Sequence, residues 1–411
     1  MANIVSEVLI VGGGFGGLFT ALDLANHAKV TLINDEDHFV FKPLLYEYMS
    51  GEVEAWHIAP HYNELLDKKI TFIQGEVSDI DLETREASLE GRDHKLQYDA
   101  LVLAVGGRTN YWNVPDAQKY TMPFRTISDA DALRKRMTEV LDHIPPNAAP
   151  QDVRETLTFA IVGGGASGVE LATKMSDLLY DACQRRALKG EPRVIIIEMA
   201  NEVVPGMGEE IRSVVEKALK QSHVELHLQT KVLSVGPDQL TVEHNGVQTE
   251  IKISATVWVA GVRVSPLVEK LNVEKNKGGL IIVEPTLRVK GQENVFAIGD
   301  IALLADVPPT LPGTAQLAFQ ESSLLAQNVR AFIEGRELKT KRFQELGEAV
   351  SLGVENAAVL TQGGAFSGAL ARQARFALYS SRLPTWQHRI KVGASWFFEG
   401  TTPRPLQPLG F

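Results

Sequence analysis

The apolar positions of the chain fall into two matching series. In the first, the unbroken run Val8-Leu9-Ile10-Val11 meets Gly12-Gly13-Gly14-Phe15-Gly16-Gly17. Apolar residues then recur at Leu18, Leu22 and Ala25, and a second apolar run covers Val30 to Ile33. A short apolar run closed by glycine predicts a buried strand, whereas the spacing that follows predicts a helix. Polar hairpin strands are expected across residues 77 to 98, then a buried strand from Leu101 to Val105 ending at Gly106-Gly107. The second series repeats this order. Phe159 to Val162 is the strand and Gly163-Gly164-Gly165-Ala166-Ser167-Gly168 the turn. Val169, Ala172, Leu179 and Ala182 form the helical stripe, and Val194 to Ile197 is the next strand. Asn245-Gly246 marks a two-residue hairpin, and the strand Thr256 to Ala260 ends at Gly261. From first to closing glycine is 94 residues in one series (12 to 106) and 98 in the other (163 to 261). Matching order and spacing imply a duplicated architecture.

Between the series, Ser128 with Asp131 three residues on reads as a helix start, and Ile144-Pro145-Pro146-Asn147 as its end and a linker. Later come Val295-Phe296-Ala297-Ile298-Gly299-Asp300, a helix from about Thr314, and a compositionally distinct tail from about residue 350. The expected domains are 1–115 with 286–350, then 116–285, then 351–411.

Each glycine turn has the Gly-x-Gly-x-x-Gly spacing between a strand and a helix. The first glycine permits the turn, the second lets backbone approach a pyrophosphate, and the third lets helix and strand pack closely. The helix N-terminus offers unpaired N–H groups to the phosphates. Gly12, Gly14 and Gly17 fit this pattern, as do Gly163, Gly165 and Gly168. Packing turns alone are the plainer reading, but the strand–turn–helix setting in both series favours two dinucleotide sites.

An acid ending the second strand accepts hydrogen bonds from a ribose hydroxyl. Glu198 fills that place in the second series, with no arginine in Met199-Ala200-Asn201 to receive a 2′-phosphate. NADH is therefore expected over NADPH, which stays the second candidate. In the first series the place falls to Asn34, followed by Asp35. Two nicotinamides would have no reason to meet, whereas a flavin and a nicotinamide exchange hydride. Gly299-Asp300 supports the flavin reading, because a strand-ending Asp can hold the ribityl or pyrophosphate part of FAD. A plain turn-capping Asp is the alternative. FAD rather than FMN follows from a fingerprint that reads a pyrophosphate.

Composition narrows the acceptor. A single cysteine, Cys183, excludes a disulfide relay within the chain and reads as an ordinary buried thiol. The ten histidines show no metal-ligand spacing, so no metal is expected. A net charge of −10 argues against a nucleic-acid partner. With the first strand so early, no signal peptide is expected, and no apolar run reaches membrane-spanning length. Gln316 and Gln320 lie four apart on one helix face, where they could bind a quinone carbonyl or simply be solvated. From Asn356 to Phe398 the chain holds no Asp or Glu. That stretch carries Arg372, Arg375, Arg382, Arg389 and Lys391 among seven Phe, Tyr and Trp residues. Basic, aromatic and amphipathic, it reads as a peripheral membrane contact, with up to roughly 5 kcal/mol from its five cations. A homodimer interface is the compatible alternative.

Together these motifs resemble the type II NAD(P)H:quinone oxidoreductases, over Val8 to about Glu399. The Ala315-Gln316-Leu317-Ala318-Phe319-Gln320 segment is similar to the family's quinone-site motif, and Gly163 to Ala172 to its NADH-binding segment. Phe39-Val40-Phe41-Lys42-Pro43-Leu44-Leu45-Tyr46-Glu47 and Arg382 to Gly393 resemble the cyanobacterial and plastid branch. Members of that branch are similar in reducing plastoquinone-like and naphthoquinone acceptors, one role being reduction of demethylphylloquinone in phylloquinone synthesis. Plastid relatives are associated with NADPH, from which Glu198 departs. The resemblance implies an α/β fold of two Rossmann-like domains, glutathione-reductase-like, with a membrane-associated C-terminal segment. It further implies a flavoprotein without proton pumping, at the cytoplasmic face of a plasma or thylakoid membrane. Glu170 is implied to lie near the nicotinamide and help conduct a proton; a helix-start carboxylate favoured by the dipole is its plain alternative. Catalytic roles are thus expected of Glu170, Gln316 and Gln320. Cofactor contacts are expected of Gly12, Gly14, Phe15, Gly16, Gly17, Asn34, Asp35, Lys42, Pro43, Leu44, Val77, Ala104, Gly106, Gly299, Asp300 and Ala315 to Ala318. On the second half they are expected of Gly163, Gly165, Ser167, Gly168, Glu170, Glu198, Ala260 and Gly261. A soluble NADH oxidase, a ferredoxin-type reductase and a non-catalytic NADH sensor are the rivals.

Overall fold

The computed structural model describes residues 6–305, 313–361, 364–399 and 409. Two compact units arise, one from Met1–Phe41, Ala59–Arg108 and Val262–Glu345, the other from Lys42–Ile58, Thr109–Gly261 and Leu346–Phe411.

The first unit is built on a parallel five-stranded sheet. Its order is Val295–Ala297, Ala100–Leu103, Glu7–Val11, Lys29–Asn34, Ile70–Gln74. Parallel strands covered on both faces need near-continuous apolar runs, and Val8 to Val11 and Ala100 to Leu103 are buried throughout. The glycine-bearing strand is central. Helix Phe15–Leu24 follows its turn and meets helix Ala315–Ile333, with the rings of Phe19 and Phe319 5.0 Å apart. Thr314 caps that later helix by accepting the Leu317 N–H at 3.1 Å.

The second unit repeats the plan: Val224–His227, Arg193–Ile197, Thr158–Val162, Ala255–Trp258, Thr121–Pro123, all parallel. Again the glycine-bearing strand is central, and Val169, Ala172, Leu179 and Ala182 on helix Ala166–Arg185 are fully buried. The hairpin turns at Asn245 (φ 51°) and Gly246 (φ 78°), as its sequence requires.

Several local expectations are corrected. The helix after the first series is Ile127–Asp142, and its cap is Thr126 rather than Ser128. Both sites satisfy the Ser/Thr-x-x-acid pattern. Thr126 and Asp129 close the reciprocal capping box, while Asp131 instead accepts the Tyr48 hydroxyl at 2.8 Å.

The unit borders also differ from 115, 285 and 350. Residues 262–285 group with the first unit, where Ile281–Val283 pairs with Ala302–Leu304. Residues 42–58 group with the second, where Tyr48 makes its bond to Asp131. The tail groups with the second unit rather than forming a unit of its own. It forms an antiparallel sheet of Glu348–Ser351, Ala357–Thr361 and Gly364–Ser367, then helices Ala369–Ser381 and Trp386–Glu399. Among the described residues no helix is long and apolar enough to cross a membrane.

Candidate functional site

The two glycine turns are built by the same contacts. Gly12 (φ +103°) and Gly163 (φ +115°) adopt a backbone that side chains rarely allow, and a Cβ on Gly12 would stand 2.3 Å from Ala104 O. A Cβ on Gly17 would stand 1.8 Å from Gly12 O, and one on Gly168 1.8 Å from Gly163 O. These four glycines are demanded by the protein's own packing. Gly14 and Gly165 are different: a Cβ there would meet nothing within 4 Å. Each is the N-cap of its helix, makes no side-chain cap and has no acid in the first turn. Open space, free N–H groups and a partial positive charge at both caps fit a pyrophosphate. The residues present therefore fit two dinucleotides.

The strand-end residues are engaged with their own turns. Asn34 Oδ1 accepts the Gly13 N–H at 2.8 Å, and Glu198 Oε2 accepts the Gly164 N–H at 2.6 Å. The Glu198 carboxylate also accepts the Ala200 N–H at 2.8 Å. Asn34 thus reproduces the acid's structural role without its charge. Asp35 is exposed and accepts the neighbouring Glu36 N–H.

In the first unit, Gly106 (φ +61°) lies beside Asp300, whose Oδ2 is 4.0 Å from where a Cβ would project. Asp300 sits in the single turn Gly299–Ile301 rather than ahead of a long helix. Ala318 packs near Gly299, and the buried Glu321 accepts the Gly299 N–H at 3.0 Å. Burial pushes the Glu321 carboxyl up to about 7. Gly16 packs against Ile298 and the Phe15 ring against Phe39 and Phe41, while Val77 and Ala104 are buried near their strand ends. Gln316 and Gln320 share helix Ala315–Ile333 with Leu317, but the Gln320 amide is doubly committed. It donates to Gln344 O at 2.9 Å and accepts the Gln344 N–H at 3.2 Å.

The second unit holds a buried ionic cluster that the sequence reading only touched. Glu170, the fifth residue of helix Ala166–Arg185, is 6% exposed and so is no solvated helix-start carboxylate. It accepts the Ser351 N–H at 2.9 Å and Arg375 Nη2 at 3.0 Å. Arg375 also binds Glu47 and donates to Pro43 O at 2.7 Å. Lys174, one turn beyond Glu170, pairs with Glu52 and stands 3.7 Å from Glu47. Burial pushes the Glu170 carboxyl up to about 7, against the pull of Arg375. Glu47 goes the other way: burial alone would raise it, but Arg375 and Lys174 hold it below the usual carboxylate range. Tyr46 is pushed up by burial and by the Glu170 charge, with a hydrogen bond to Ser167 opposing. Glu47 Oε2 and Arg375 Nε are buried without a hydrogen-bond partner among the described residues. Buried charge persists only when paired, so these contacts fix Glu170 tightly. Lys42 and Leu44 flank Pro43 in the short turn ahead of Glu47.

Arg375 therefore corrects the reading of the tail. It is 2% exposed and paired inside the protein, and Arg372 bonds Glu52 at 3.2 Å. Arg382, Arg389 and Lys391 are the tail cations outside this cluster. Among the described residues, the exposed large apolar side chains of the tail are Phe366, Leu370, Leu378, Trp386, Ile390, Phe397 and Phe398.

Glu47, Glu52 and Lys174 escaped sequence reasoning. Part of the signal was present: Lys174 lies four residues after Glu170 and three before Asp177, so charges recur on one face of a helix whose other face is apolar.

Two parallel-sheet units, each with a ligand-ready glycine turn, define a protein with two dinucleotide-binding folds. The family described as pyridine nucleotide-disulphide oxidoreductase matches residues 6–322. The demethylphylloquinone reductase NdbB of Synechocystis sp. is 34% identical over 408 residues, covering 96% of each chain. The alternative NAD(P)H-ubiquinone oxidoreductase C1 of Arabidopsis thaliana is 33% identical, covering 95% of this chain and 80% of that one. In fold the chain is similar to NDH2 from Plasmodium falciparum in complex with NADH, with a TM-score of 0.87 at 20% identity, over 98% and 99% of the two chains. The chain belongs to the pyridine nucleotide-disulphide oxidoreductase family, among its type II NAD(P)H:quinone oxidoreductases. It is a flavoprotein oxidoreductase that uses NAD(H).

Proposed function

We propose that the chain binds FAD on the first glycine turn and NADH on the second, and reduces a membrane naphthoquinone or plastoquinone-like acceptor without pumping protons. The observation that carries this reading is the pair of open N-caps at Gly14 and Gly165, each backed by packed glycines. Gly12, Gly14, Gly17, Asn34 and Asp300 would hold the flavin; Gly163, Gly165, Gly168, Glu198 and Gly261 would hold NADH. When bound, the flavin supplies the two-electron relay between nicotinamide and quinone.

The chain's own residues do the rest. Asn34 and Glu198 hold their glycine turns in the phosphate-receiving shape, and the Glu198 carboxylate repels a 2′-phosphate, favouring NADH. Glu170 can exchange a proton near neutral pH, a suitable poise for acid–base work, and Arg375 orients it. Gln316 offers an amide to the quinone carbonyl. Gln320 contributes by holding residue 344. The exposed Trp386, Ile390, Phe397 and Phe398, with Lys391 nearby, support peripheral attachment to a cytoplasmic membrane face. Similarity to the Synechocystis enzyme supports demethylphylloquinone as the acceptor.

The test is steady-state oxidation of NADH and NADPH with a short-chain naphthoquinone, a benzoquinone and oxygen in parallel. Turnover is expected to be fastest with NADH and the naphthoquinone. Rapid turnover with oxygen alone would refute the quinone assignment and favour a soluble oxidase. Liposome flotation separates membrane binding from a homodimer: loss after exchanging the exposed Trp386, Ile390, Phe397 and Phe398 for Ser supports the membrane, unchanged binding the dimer.

A further inference from the structure

In the second sheet the glycine-bearing strand Thr158–Val162 lies between Arg193–Ile197, which ends at Glu198, and Ala255–Trp258, which leads to Ala260 and Gly261. A dinucleotide crosses the carboxyl ends of such strands at the switch point. Its adenosine ribose belongs at the acid, here Glu198, so its nicotinamide half belongs on the Gly261 side.

An exposed aromatic side chain stands on that side. Trp112 is 64% exposed, yet the Nε1–Cε2–Cζ2 edge of its indole sits so close to Gly261 that a Cβ there would fall 2.6 Å from Nε1. The loop carrying it is bolted in place. The Asn110 N–H donates to Gly261 O at 3.3 Å, and the Trp258 indole donates to Asn110 O at 2.9 Å. Asn110 Oδ1 in turn accepts the Trp112 N–H at 3.0 Å. Trp112 (φ 51°) and Asn113 (φ 56°) are consecutive left-handed residues, a conformation that non-glycine residues rarely adopt and that clusters at ligand clamps. A large ring left in water on a rigid, strained loop is poor design for stability and good design for stacking on a planar ligand.

We propose that Trp112 contacts the nicotinamide half of NAD(H) and is a binding residue of the second glycine turn's site. The inference rests on that turn holding NAD(H). Flavin-loaded enzyme and its Trp112→Ala variant are titrated with NAD+ and with AMP, which carries only the adenosine half. In Trp112→Ala the NAD+ dissociation constant is expected to rise about tenfold, with AMP binding unchanged. Trp112→Phe, which keeps a ring over Gly261, is expected to fall between the two and is read alone if the alanine variant does not fold. NAD+ binding unchanged in both variants would overturn the proposal. So would an equal weakening of AMP, since Trp112 would then act only as scaffold. If the unaltered enzyme binds neither ligand, the docking reading fails with it.

Discussion

The turns at Gly12 and Gly163 share strand, register and glycine packing, but different groups press on them. In the first unit the buried Tyr62 donates its hydroxyl to Gly13 O at 2.8 Å, and a Cβ on Gly13 would stand only 2.0 Å from the Tyr62 hydroxyl oxygen. A Cβ on the corresponding Gly164 would instead stand 3.0 Å from the aliphatic part of Glu198. The helix after the first turn buries glycines, Leu18, Phe19, Thr20, Ala21 and Leu24; the helix after the second buries Glu170 and Lys174 in the ionic cluster. One turn is thus pinned by a neutral hydroxyl and an amide. The other is held by a carboxylate and backed by charge. A pinned neutral cradle suits a resident cofactor, and a charged, titratable surround suits a substrate that comes and goes with a proton.

The sharpest break is Arg375→Met. It leaves Glu47 and Glu170 buried without their main cation, and thermal and denaturant unfolding should show the second unit weakened by about 3–5 kcal/mol. The first unit's local protection in hydrogen exchange should hold. Equal loss in both units would dissolve the contrast.

Glu170→Gln tests the titratable side. The native carboxyl holds its proton up to about 7, against an ordinary 4.5. Between those values the native state binds more protons than the unfolded one, so this group makes stability fall as pH rises through the window. Replacing it should flatten that decline. An unchanged slope from pH 4.5 to 7 would assign the dependence elsewhere, Glu321 being the other carboxyl raised to about 7.

Smaller effects are expected at the strand ends. Glu198→Gln removes the charge that repels a 2′-phosphate while keeping an acceptor for the Gly164 N–H. The ratio of kcat/KM for NADPH over NADH should rise by about tenfold, or ~1.4 kcal/mol. Tyr62→Phe loses one hydrogen bond, about 1 kcal/mol, and should hasten flavin release while leaving the KM for NADH alone.

The plan that the two turns share was readable in the sequence, whereas most of what distinguishes them was not. The duplicated strand–glycine–helix order was legible because parallel strands and tight turns restrict which residues can serve. Glu198 was legible for the same reason. The cluster around Glu170 was not, because Glu47, Lys174 and Arg375 are far apart in sequence and only the fold brings them together. Arg375 illustrates the difficulty: among the cations of an acid-free tail it reads as a surface charge, yet the fold buries it. The units drawn by packing depart from the borders that glycine and proline punctuation suggests, because contacts rather than turns decide membership. The cap at Thr126 was missed because two overlapping signals offered the same pattern.

The most direct test of the division of labour is a paired exchange at the two open caps. Gly14→Ala and Gly165→Ala each add a methyl where the protein has room, so both should fold, and each should impair only its own ligand. After desalting, Gly14→Ala should be depleted of flavin absorbance while still binding NAD+. Gly165→Ala should remain yellow with its KM for NADH raised about tenfold. A yellow Gly14→Ala protein beside a colourless Gly165→Ala protein would contradict the assignment.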